Sequence, residues 1–148
     1  MTQALTVRQI LSDKDAGLLP DIRDLLVSKE FSHFRAQMGF HVDEYCTRVD
    51  SGDDPSELQT TLFITLKFLI VTDNQTSPDD ATLHALEFQQ MLDSELINWS
   101  QRSKHLIEPI SEISGKLSNL EEIRYHGGYL PGFEIQRKFA LTFNGTRE

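Results

Sequence analysis

The chain has 148 residues, with 14 Lys+Arg against 23 Asp+Glu and a formal net charge of −9. That length suits one compact domain, and 39% hydrophobic with 25% charged residues supports a core and excludes wholesale disorder. Eight glycines and five prolines exclude collagen-like and low-complexity classes. The acidic balance argues against general nucleic-acid binding and against docking on anionic membranes, which both rest on Lys and Arg.

In chain order, residues 1–19 are weakly patterned, and Val7, Ile10 and Leu11 predict a short helix ended by Gly17. Met1 to Leu19 shows no basic segment followed by an apolar run, so a secretory leader is not expected. From Pro20 onward, Val27, Phe31, Phe34, Met38, Val42, Tyr45 and Val49 recur at steps of four or three, the stripe of an amphipathic helix over 20–50 that Gly39 weakens. The sole cysteine, Cys46, rules out an intramolecular disulfide, and a cytoplasmic protein is expected.

Asp54-Pro55-Ser56-Glu57 reads as a helix start, followed by Leu58, Leu62, Leu66, Leu69 and Ile70 on one face of a central helix over 55–72. Thr60 to Thr72 is also rich in β-branched and aromatic residues, so a strand is the rival reading. Its apolar run, Leu62 to Val71, is too short to span a membrane and carries Lys67. Ser77-Pro78-Asp79-Asp80 is the clearest start signal, with a capping hydroxyl, a first-turn proline and two acids at the positive end of the helix. Ala81, Ala85, Phe88, Leu92, Leu96 and Trp99 follow at helical spacing and predict a helix over 78–107.

Leu106, Ile110, Ile113, Leu117 and Leu120 extend the pattern past Pro109 and predict a further helix over 109–124, which Gly127-Gly128 ends. The tail then changes period. Phe133, Ile135, Phe139, Leu141 and Phe143 alternate with polar residues, the signature of a strand, with Arg137 the exception on the apolar side.

Motifs for chemistry are sparse. His41 and Glu44 would share a helical face and could give a metal two ligands, with more needed from elsewhere. Cys46 lacks the surroundings of a nucleophile and reads as a small hydrophobe. Asp73-Asn74-Gln75-Thr76-Ser77 fails as a calcium loop, since Pro78 and His84 stand where Gly and Glu belong. An apolar helix, an Asp-containing turn and a Ser-capped helix here resemble tellurite-resistance TerB-like domains over a short part of the chain, without the glycine expected after the aspartate.

These patterns together predict a mainly α protein: a bundle of about four to five helices over residues 1–128, with residues 129–148 as an extended arm or strand of the same domain. Phe34, Leu62, Leu66, Phe88, Leu92 and Ile113 are the expected core. The expected function is a non-catalytic helical interaction or regulatory module with no cofactor, no nucleic acid and no membrane. It would bind a protein partner or itself through a tail bearing Tyr129, Phe133, Ile135, Phe139, Leu141 and Phe143. The alternative is a small metal-dependent enzyme or a ligand-binding helical sensor that uses His41 and Glu44.

Overall fold

The computed structural model describes residues 6–49, 57–103 and 105–146. It overturns the helical bundle: the described residues are predominantly β, 43% strand and 31% helical, a curled antiparallel half-barrel of sheet. The elements run α1 (Val7–Ser12), α2 (Leu18–Leu26), β1 (Arg35–Val49), β2 (Glu57–Val71), α3 (Pro78–Arg102), β3 (Leu106–Glu108), β4 (Glu121–Tyr125) and β5 (Gly128–Thr146). Spatially the sheet runs β1-β2-β5-β3, and β4 also pairs with β5.

The first correction falls on residues 20–50, which form α2 and then β1 rather than one helix. A bulge explains the deceptive spacing. Val42 pairs with Ile64 and Glu44 with Phe63, so Asp43 is an extra residue and the alternation of faces shifts by one. Met38 to Val42 is then an even step, Val42 to Tyr45 an odd step across the bulge, and Tyr45 to Val49 even again. Period two with one bulge gives steps of four, three and four, the spacing of a helical stripe.

The second correction is β2 in place of the central helix over 55–72, as the rival reading had it. Leu58, Leu62, Leu66 and Ile70 lie four apart, a spacing that both periods allow; Ile64 and Phe68, buried on the same face, decide for the strand. The TerB-like resemblance loses its apolar helix with this change. The helix-start reading of Asp54-Pro55-Ser56 lies outside the described residues.

The third correction is the segment 109–124. It runs extended along β5: Ser114 and Lys138 exchange two backbone hydrogen bonds, and so do Lys116 and Gln136. Ser111, Ser114, Gly115 and Ser118 are poor helix formers. A Cβ on Gly115 would overlap the Gln136 carbonyl oxygen, so glycine lets the two backbones meet. With β3 and β4 at its ends, this segment acts as an interrupted fourth strand.

Residues 78–102 do form a helix. Ser77 caps α3, accepting from the Asp80 N–H at 3.2 Å. The helix lays Ala81, Ala85, Phe88, Leu92, Leu96 and Trp99 on the sheet, between Leu62, Ile64, Leu66, Phe68 of β2 and Phe133, Ile135, Phe139, Leu141 of β5. Ile10, Leu11, Leu18 and Ile22 of the two short helices close one end, tied in by the Trp99 indole N–H donating to the Ala16 carbonyl at 3.2 Å. All six expected core residues lie in this cluster, Ile113 half-buried at its margin.

β5 is thus not a peripheral arm. It is an interior strand, paired with β2 from Gly132 to Thr146 and with the 106–125 segment on its other side. The β4–β5 turn consists of His126 and Gly127, both at positive φ (49° and 81°), the two-residue geometry that matches the twist of a hairpin.

Candidate functional site

The sheet has two faces, and residue parity assigns each side chain to one. On the helix face, β5 presents Phe133, Ile135, Arg137, Phe139, Leu141 and Phe143. The five apolar residues expected to meet a partner are therefore buried in the chain's own core; Tyr129 is exposed, beside the β4–β5 turn.

β1 is the open edge. Among the described residues it pairs with β2 alone, so half its backbone N–H and C=O groups face outward. Its helix-face side chains run beyond the cover of α3: Phe40 is 38% exposed, Tyr45 64% and Val49 52%. Ala36, Met38 and Val42 are half-buried and join this strip to the core. Phe40 escapes a helical reading of the sequence, because the stripe steps from Met38 to Val42 over it. Alternation of Met38, Phe40 and Val42 is the signal that finds it.

His41 and Glu44 lie on the outer face of β1, on either side of the bulge, opposite Thr65 and Phe63. His41 Nε2 is 3.5 Å from Asp43 Oδ1, and the Thr65 hydroxyl donates to the other Asp43 oxygen. Among the described residues no group of three His, Cys, Asp or Glu side chains is placed to hold a metal ion. Cys46 is exposed on the same strand.

Two cavities open on this outer face, of about 520 Å³ and 400 Å³, and share Asp43 and Lys138. His41, Thr65, Lys67 and Gln136 line the first; Phe63, Ala140 and Pro109 help line the second. Lys67, Lys116 and Lys138 carry no site signal in the sequence, because residues far apart along the chain meet only through strand register.

A third cavity, about 290 Å³, lies between the α3 start and the head of β1, with His33, Asp73, Asp80 and His84 in its wall. Burial, then the nearby His33, lower the His84 pKa below its ordinary value, and Glu87 opposes them. The Asp73 carboxyl is held low by the Thr76 hydroxyl and Gln75 N–H that it accepts from. At the far end of α3, burial and then Glu95 raise Asp21, although Arg102 stands 3.8 Å away.

The class this architecture defines is an α+β domain: one long helix laid across a curled antiparallel sheet whose first strand is open. Comparison with protein-family models, curated proteins and solved structures finds no match. No helix among the described residues is long and apolar enough to cross a membrane.

Proposed function

We propose that the chain is a non-catalytic, self-associating interaction module that works in the cytoplasm and pairs through β1. The open fifteen-residue edge carries this reading. Long edges with exposed apolar side chains are ready to accept another strand, and natural proteins shorten, charge or cover them when they must stay alone. β1 contains no proline, and Phe40, Tyr45 and Val49 stand uncovered along it.

A second copy is the occupant that the edge itself favours. An antiparallel strand pair has a two-fold axis, so one edge can complement itself and close a dimer. With Gly39 on that axis, Met38 of one copy falls opposite Phe40 of the other, and Arg35 falls opposite Asp43. Strand addition would satisfy the outward backbone groups and cover the apolar strip together.

Sedimentation velocity of the full chain from about 1 to 100 μM tests the reading. A dimer is expected, with Phe40→Lys/Tyr45→Lys monomeric and its circular dichroism unchanged. A clean monomer throughout the range, or a dimer indifferent to these substitutions, would overturn it.

A further inference from the structure

We infer that the outer face of the sheet binds a phosphoryl group, held by Lys67, Lys138 and Lys116 around Gln136. Register alone brings these residues together. Lys67 of β2 lies opposite Gln136 of β5. Lys116 faces the same Gln136 from the other side: its N–H donates to the Gln136 carbonyl at 3.2 Å, and the Gln136 N–H donates back at 2.8 Å. Lys138, two residues along β5, points to the same face. Opposed residues of an antiparallel pair have Cβ atoms about 4.5–5.5 Å apart, and diagonal ones about 7–8 Å. Lys67 and Lys116 therefore bracket Gln136, and Lys138 is diagonal to both.

Three like charges at this spacing repel one another, and a sheet gains by alternating them with acids. Acids outnumber bases in this chain. Yet among the described residues no ion pair includes any of the three lysines. The nearest acid of β1, Asp43, is engaged by Thr65 and His41. Glu134, diagonal to Lys67 and Lys116 on the other side of Gln136, makes no ion pair among the described residues.

The cluster also has room beside it. The 520 Å³ cavity lies over Lys67, Lys138 and Gln136, and its floor is open at Gly39, where a Cβ would meet nothing closer than Lys67 at 3.9 Å. Each ammonium brings three donors and a full charge, and the Gln136 amide adds two more. That is donor-rich chemistry for a tetrahedral, multiply charged oxyanion. The adjoining cavity presents Phe63, 41% exposed beside Ala140, which can seat an apolar body attached to the phosphoryl group; Glu108 and Glu112 stand in its wall, and Asp43 lines both cavities.

Titration of the full-length, ¹⁵N-labelled chain at fixed ionic strength, with phenyl phosphate in one arm and inorganic phosphate in another, tests the site. Saturable amide shifts centred on Lys67, Lys116, Gln136 and Lys138 are expected, with a midpoint of about 1 mM or below. Stronger binding of phenyl phosphate would identify a phosphomonoester, and equal binding the free anion; both place the phosphoryl group on the lysines. Lys67→Gln/Lys138→Gln should weaken binding about tenfold or more with the spectrum still dispersed. Lys14→Gln/Lys29→Gln, the same change of charge elsewhere on the surface, should leave it unaltered. Non-saturating shifts, equal shifts with sodium chloride, or equal weakening in both double variants would overturn the site.

Discussion

Arg137 of β5 meets Asp93 of α3 through two parallel hydrogen bonds, Nε to Oδ1 at 2.9 Å and Nη2 to Oδ2 at 2.7 Å. The Arg137 side chain is only 6% exposed and also donates to the Ile113 carbonyl at 3.3 Å. It stands in the apolar row of β5 between Ile135 and Phe139, opposite Leu66. One guanidinium thus ties the helix, the central strand and the extended 109–124 segment together. The fork geometry fixes where α3 crosses the sheet, which an all-apolar contact would leave freer to slide.

Removing one partner should therefore cost more than removing both. Asp93→Ala leaves a buried guanidinium without its counter-charge and should destabilise by roughly 2–4 kcal/mol, the open side of Asp93 moderating the loss. Asp93→Leu/Arg137→Met replaces the pair by apolar groups and should recover much of that. Urea unfolding of the three proteins checks it; a double variant as unstable as Asp93→Ala would show that the pair itself supplies the stability.

The His126–Gly127 turn can be tested by backbone conformation alone. Gly127 sits at φ 81°, and nothing lies within 4 Å of where its Cβ would be. Gly127→Ala should cost about 1 kcal/mol from left-handed strain without a clash. His126→Asn should be neutral or slightly stabilising, since Asn accepts positive φ in such turns. Thermal melts of both variants measure the contrast.

Much of the core was legible in the sequence while its secondary structure was not. Leu62, Leu66, Phe88 and Leu92 are buried as expected, because hydrophobicity identifies what is inside whatever the period. The start of α3 and the alternation of the tail were legible too, since Ser77-Pro78 has a local cause and residues 133–143 keep strict parity. β1 and the 109–124 segment were not: the bulge at Asp43 and the spacing of Ile113 from Leu117 imitate a helix. The lysine cluster was invisible because Lys67, Lys116 and Lys138 become neighbours only when three strands are in register.

The cap on α3 has a defined worth. Ser77→Ala removes the acceptor for the Asp80 N–H. Loss of about 1 kcal/mol is expected in denaturant unfolding, with no change in the rest of the fold. An unchanged midpoint would mean that Pro78 and the first-turn acids start the helix by themselves.

His84 should make stability depend on pH. Its folded pKa lies below the ordinary 6.5, chiefly through burial and secondly through His33. The unfolded chain then binds the proton more readily, so stability from this group is fully present above about pH 6.5 and is lost as pH falls through the lowered folded value. The ring packs 4.5 Å from Phe34, so His84→Phe keeps an aromatic there. Between about pH 7.5 and pH 5 the wild type should lose more stability than this variant, as measured by melting at each pH.

The strand assignment of residues 57–71 has a sharp mutational signature. Phe63 and Leu66 are three apart, so on a helix they would share a face and be similarly buried. In β2 their parity differs: Leu66 is fully buried under α3, whereas Phe63 lies on the outer face beside Ala140. Leu66→Ala should cost roughly 2–5 kcal/mol, and Ile64→Ala a similar amount, through lost burial and the cavity left behind. Phe63→Ala, which removes a larger side chain, should cost only about 1 kcal/mol because much of that ring is already in water. Equilibrium unfolding of the three variants decides between the periods: large losses at Ile64 and Leu66 with a small one at Phe63 fit only a strand, and a loss at Phe63 matching Leu66 would return the segment to a helix.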